Sequence, residues 1–146
     1  MKKITDKVKT FEDACKVLGI KKTVPDFSTL PISEEHQKSF AAYYKLIIII
    51  KALNENWEPN WDDETEKKWY PYFKMKSNNG GCGGSGFGFS TTTYGSWYTL
   101  ASCGSRLCFK SSELAEYAGK QFTSIYKDFL TLEDKELRKI NAFLND

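Results

Sequence analysis

Histidine is almost absent from this chain: His36 is the only one. A nucleophilic cysteine needs a base within reach. One histidine, at a position that reads as a solvated helix start, argues against Cys–His catalysis. A long apolar run is missing too. The most apolar stretch is the five residues from Leu46 to Ile50, bracketed by Lys45 and Lys51, and it is too short to span a bilayer. The opening residues, Met1-Lys2-Lys3-Ile4-Thr5-Asp6, are charged and lack the apolar core of a signal peptide. The expectation is a cytoplasmic protein with no membrane partner, whose cysteines (Cys15, Cys82, Cys103 and Cys108) are reduced thiols.

Those cysteines make a poor metal set. A structural zinc site takes four ligands in closely spaced pairs. Here four residues separate Cys103 from Cys108, Cys82 lies far upstream, and His36 falls on another helix. No metal or cofactor is expected. Internal repeats and linkers are absent as well, so 146 residues read as one domain, long enough to bury a core. Hydrophobic residues at 40% and charged residues at 27% exclude disorder over the whole length. The net charge of +2 is too small to argue for nucleic acid by itself. What stands out is the aromatic share of 15%, with ten Phe, eight Tyr and four Trp.

Helical spacing of Phe11, Ala14, Cys15 and Leu18 opens the chain, and Gly19 supplies a stop. Ser33 reads as an N-cap with Glu34 and Glu35 in the first turn. The helix that follows runs to about Asn54, with Phe40, Tyr43, Tyr44, Ile47, Ile50 and Leu53 as its apolar face. Four consecutive isoleucines also suit a strand, but the length and the cap favour a buried helix. Asn60 can cap a short acidic turn, in which Asp62, Asp63, Glu64 and Glu66 complement the helix start. Glu66, Lys67 and Lys68 read as a solvated face.

Strand-like alternation begins at Tyr72 and runs to Lys76, and a turn-former cluster follows from Ser77 to Gly84. Phe87 to Thr93 and Ser96 to Ala101 suggest a hairpin around Tyr94-Gly95, with another strand from Arg106 to Lys110. Ser111 caps a second long helix with Leu114, Ala115, Ala118, Phe122, Ile125, Tyr126 and Phe129 on one face. Thr131 opens a final helix with Leu137, Ile140 and Leu144 inward. The sum is a single α+β domain, helices flanking a small antiparallel β-sheet. N-terminal helices occupy about 1–56, an aromatic and Gly-rich β segment about 57–110, and C-terminal helices about 111–146.

One segment is chemically distinct. From Ser77 to Ser112 there is no Asp or Glu, while eight of the ten glycines, three of the four cysteines, Arg106 and Lys110 are present. Glycine-rich backbone can approach an anion closely. A site built here would use Arg106 and Lys110 on phosphate, Trp97 for stacking, and Gly83, Gly84 and Gly86 for close backbone approach. Turn chemistry explains the same glycines, and the stretch matches neither phosphate-loop pattern with a known mechanism. The cluster Trp57, Trp61, Trp69, Tyr70, Tyr72 and Phe73 likewise reads either as core or as a stacking surface.

The residues Trp57-Glu58-Pro59-Asn60-Trp61-Asp62-Asp63, Lys68-Trp69-Tyr70-Pro71-Tyr72-Phe73 and Gly104-Ser105-Arg106-Leu107-Cys108-Phe109-Lys110-Ser111-Ser112-Glu113-Leu114-Ala115 resemble a group of small proteins of unknown role. These are encoded by phages and prophages of gut Bacteroidetes. The likeness spans roughly residues 54 to 130 and brings no catalytic residue with it. It implies a protein acting in the bacterial host cytoplasm. The leading expectation is a non-enzymatic, phage-type binding protein for a nucleic acid or nucleotide. The alternative is a protein–protein interaction module: an inhibitor of a host or defence factor, or a minor virion component. An enzyme ranks third.

Overall fold

The computed structural model describes residues 1–75, 87–132 and 143–144. Four helices and a two-stranded sheet build the core, preceded by a short turn of helix. That turn is α1 (Ile4–Lys7), followed by α2 (Phe11–Leu18) and α3 (Glu34–Leu53). The strands are β1 (Lys68–Met75) and β2 (Phe87–Gly95), and α4 (Ser112–Gln121) and α5 (Thr123–Leu130) follow. This is the α+β arrangement expected from the patterning.

Local chemistry fixes the helix ends. Thr10 and Asp13 form a reciprocal capping box at α2, and Gly19 ends it in the left-handed region. Ser111 Oγ accepts from the Leu114 N–H and caps α4. The apolar residues of these helices share one core: Phe11, Ala14 and Cys15 of α2, Leu46, Ile49, Ile50 and Leu53 of α3, and Leu114, Ala115 and Ala118 of α4. Phe122, Tyr126, Leu107 and Phe109 complete it.

Several expectations change. The inward face of α3 is rotated from the one read above. Leu46 and Ile49 are fully buried, Ile47 is half-buried, and Phe40 is exposed against the ring of Phe27. The helix after Ser111 is two helices, because Thr123 Oγ1 donates back to the Gly119 and Lys120 carbonyls and competes with the helical ladder. Phe122 sits at the break and turns its ring into the core. Leu144 is exposed rather than inward. Leu137 and Ile140, and with them most of the final helix, lie outside the described residues.

The sheet differs more. β1 starts at Lys68 and runs straight through Pro71, and β2 continues through Tyr94 and Gly95 instead of turning there. The two strands pair antiparallel, Trp69 opposite Tyr94 and Phe73 opposite Phe89, with Ser90 as the extra residue of a bulge. Residues 96–101 form a loop and not the second strand of a hairpin, and β2 takes β1 as its partner instead. Of the stretch from Arg106 to Lys110, Phe109 alone bridges to the sheet. It exchanges both backbone bonds with Trp69, at 2.9 and 2.6 Å.

α4 packs across this sheet at closest approach. A Cβ on Gly119 would lie 2.4 Å from the Phe89 ring and 3.0 Å from Pro71. Only glycine fits there.

Candidate functional site

The end of α3 organises the part of the surface where the singled-out residues fall. After Leu53 the chain reverses through Glu55 and Asn56, both in the left-handed region with φ of 52° and 64°. Two consecutive non-glycine residues in that conformation are uncommon. The reversal swings Trp57 and Glu58 back beside the helix. Asn54 makes the turn possible to bury. Its Nδ2 donates to the Cys108 carbonyl at 2.9 Å, and its Oδ1 accepts the Lys110 N–H at 3.1 Å. A buried amide whose donors and acceptor meet backbone groups satisfies both sides of the contact. It also fixes residues 105–110 against α3.

The outcome is an open groove of about 600 Å³. Val17 and Ile20 from the end of α2, with Ile47 and Ile50 of α3, give it an apolar lining. Lys51, Trp57, Glu58 and Arg106 stand around it. Arg106 and Lys51 are exposed, and neither side chain has a hydrogen-bond or ion-pair partner among the described residues. Glu58 is the single carboxylate of the lining.

The residues expected to hold a ligand are therefore dispersed. Arg106 reaches the groove. Lys110 does not serve an incoming anion: its Nζ lies 2.7 Å from Glu55 Oε2, and that contact holds the Glu55 carboxyl below its ordinary value. Trp97 is 58% exposed on the loop after β2, and the cation–π contacts among the described residues belong to Lys67, Lys68 and Lys120. None pairs Trp97 with Arg106. Gly83, Gly84 and Gly86 lie outside the described residues. Lys51 and Trp57 were missed as site residues. The signal for Lys51 was its place at the end of the isoleucine run, where a charge must leave the core. Trp57 stood in the aromatic cluster read as core or stacking surface, but its place at the groove depends on a reversal held by Asn54 finding Cys108 and Lys110.

A second polar centre was also missed. Lys68, read as part of a solvated face, is 1% exposed. Its Nζ donates to the Asp63 carbonyl at 2.9 Å and the Ser96 carbonyl at 3.2 Å, with Glu66 Oε1 at 3.5 Å. The ring of Trp61 lies 5.3 Å away. Two hydrogen bonds and a nearby carboxylate offset the burial of the ammonium. Trp61 in turn donates from Nε1 to Ser105 Oγ at 2.7 Å. The acidic turn thus pins both ends of the loop from Ser96 to Ser105. Gly95 tightens the near end, where a Cβ would meet the Tyr98 carbonyl oxygen at 2.1 Å.

The thiols are quiet. Burial pushes Cys103 up to about 11 and Cys108 up to about 12, so both stay protonated near neutrality and are poor nucleophiles. His36 lies elsewhere, with Nδ1 2.7 Å from Ser33 Oγ. Among the described residues no three His, Cys, Asp or Glu side chains gather as a metal set, and no helix is long and apolar enough to cross a membrane. Family models, curated proteins and solved structures give no match to this chain.

Proposed function

We propose that the protein is a non-enzymatic binding protein whose groove takes a nucleotide or a short stretch of nucleic acid. The observation that carries this is the pairing of two uncommitted cations, Arg106 and Lys51, with an apolar groove edged by Trp57. A ring can lie against Trp57 and the isoleucines while a phosphate meets the guanidinium. Arginine suits that task because its planar fork matches phosphate oxygens. The resemblance to small phage proteins supports a role in the bacterial host cytoplasm.

The test is a binding screen of single-stranded DNA, RNA and cyclic or linear nucleotides at two salt concentrations. Affinity should fall as salt rises, since bound phosphates release counterions. Arg106→Ala should weaken binding by about 1.5–3 kcal/mol, the worth of a charge-assisted hydrogen bond. Its thermal midpoint should stay put, because Arg106 has no hydrogen-bond or ion-pair partner among the described residues. Binding that ignores both Arg106 and Lys51 would sink the groove reading.

One observation favours a second reading, a protein–protein interaction module. Trp97 and Tyr98 are both exposed, the latter at 82%, on a loop held from below by Lys68. Exposed Trp and Tyr on a pinned backbone lose little entropy when covered, and they are favoured as interface anchors. A screen that returns no nucleotide would move the search to that loop.

A further inference from the structure

We propose that the outer edge of β2 is a self-association surface, on which a second copy of this chain lays its own β2 antiparallel to complete a four-stranded sheet. β2 has β1 on one side only, and among the described residues no backbone hydrogen bond runs from β2 to any other segment.

The phase of the ladder says which groups are free. Trp69 exchanges both its backbone bonds with Phe109, so its N–H and C=O point away from β2. Two residues on, the C=O of Pro71 shares that direction. Pro71 is an independent check, because a proline fits a strand only where no ladder N–H is needed. The pairs Trp69↔Tyr94 and Pro71↔Thr92 are then the non-hydrogen-bonded ones. The N–H and C=O of Thr92 and of Tyr94 must point outward, into open edge.

Strand edges are normally blunted by lysine, proline or a covering segment. β1 has all three: the exposed Lys74 near its end, Pro71, and Phe109 laid against it. β2 reads Phe-Gly-Phe-Ser-Thr-Thr-Thr-Tyr-Gly, with no charge and no proline. Among the described residues the bulge at Ser90 is the protection it has, and it leaves Thr91 to Gly95 regular.

The occupant that fits is the same strand. Antiparallel apposition centred on Thr93 places Thr92 opposite Tyr94 of the second copy, and the reverse. Every outward N–H and C=O of the two residues is then paired across the seam. The strand is uncharged, so identical copies meet no like-charge contact, and three consecutive threonines suit a pleated surface. A two-fold axis through Thr93 uses up both edges, which closes the assembly at a dimer. A foreign peptide would instead need pockets for its alternate side chains, and a run of threonines offers none.

The test is sedimentation velocity from micromolar to millimolar protein. Wild type should show a monomer–dimer equilibrium. At the centre of the seam the two Thr93 side chains are direct neighbours, where like charges repel. Thr93→Lys alone and Thr93→Glu alone should each run as monomers, and an equimolar mixture of the two should recover the dimer. That recovery also shows that both variants fold. A wild type that stays monomeric throughout, single variants that dimerise like wild type, or a mixture that fails to recover would each overturn the proposal. So would a monomeric wild type whose β2 edge binds an unrelated extended peptide.

Discussion

α3 buries Leu46, Ile49, Ile50 and Leu53 against α2 and α5, whereas the loops between Trp57 and Lys110 that flank the strands are pinned by directed polar bonds. In the first region, removal of apolar surface from water does the holding, and neighbours are interchangeable as long as volume is kept. In the second, three side chains reach specific oxygens and nitrogens: Asn54 to Cys108 and Lys110, Trp61 to Ser105, Lys68 to Asp63 and Ser96. Directional bonds of this kind place a loop more narrowly than packing does. They also fail more completely when one partner is lost. Both surfaces proposed to bind, the groove at Arg106 and the edge of β2, belong to or adjoin the polar-pinned region.

The helical side should show the largest single effects. Ile49→Ala should cost about 2–5 kcal/mol, the range for emptying a fully buried position. Ile47→Ala, two residues away and half-buried, should cost about 1 kcal/mol because much of its surface is already in water. Denaturant unfolding of the two variants measures the contrast. Equal losses would mean that the face of α3 assigned to the core is wrong.

Lys68 tests the other side. Lys68→Ala should cost about 2–4 kcal/mol, since it opens space and strands the carbonyls of Asp63 and Ser96. Lys68→Met should recover only the packing share of that, because it refills the space but leaves the same two carbonyls without a donor. If alanine is harmless, the ammonium is not what holds the loop, and the contrast between the two regions weakens.

Alkali separates the regions by chemistry. Cys103 and Cys108 lie beside the pinned loop and titrate at about 11 and about 12, against 9.0 for an ordinary cysteine. Their folded values are raised, so the stability they contribute is whole below pH 9 and is lost as pH climbs toward 12. The unfolded chain releases these protons first. Stability should therefore fall by more than about 2 kcal/mol between pH 9 and 12, with the buried Tyr126 phenol acting in the same direction. Cys→Ser substitution at 103 and 108 should flatten that slope. A slope that survives both substitutions would assign it to the tyrosines alone.

The two regions were also unequally legible. Helix limits are written locally: Ser111 caps α4 and Gly19 ends α2, because caps act on neighbours in sequence. Ser33 precedes α3 with its Oγ turned to His36 and making no bond to the helix backbone. The break at Phe122 escaped notice, since Thr123 back-bonding is a weak local preference that the apolar spacing on either side conceals. In the strand region the deciding partners lie far apart. Lys68 looks like any surface lysine until the Ser96 carbonyl arrives from 28 residues away. Arg106 was singled out because an acid-free stretch makes a cation conspicuous, and it lines the groove. Its neighbours Lys51 and Trp57 come from elsewhere in the chain, and no pattern within residues 77–112 could point to them.

The smallest effect is expected at Trp97, and it is the sharpest use of the comparison. A tryptophan is usually an expensive residue to remove, about 3–5 kcal/mol when it is buried. Here the turn that carries it is held through backbone atoms: the Ser96 carbonyl by Lys68, and the Tyr98 carbonyl packed against Gly95. The indole itself is more than half exposed and has no hydrogen bond or ring partner among the described residues. Trp97→Ala should therefore change stability by less than about 0.5 kcal/mol, as substitutions do at surface positions without special contacts. The same protein with Lys68→Ala should lose several times more, although Lys68 never reaches the surface. Thermal and denaturant midpoints of the two variants, measured side by side, decide it. A large loss at Trp97 would show the ring to be part of the fold, and the reading of this loop as a rigid mount for an exposed aromatic would have to be given up.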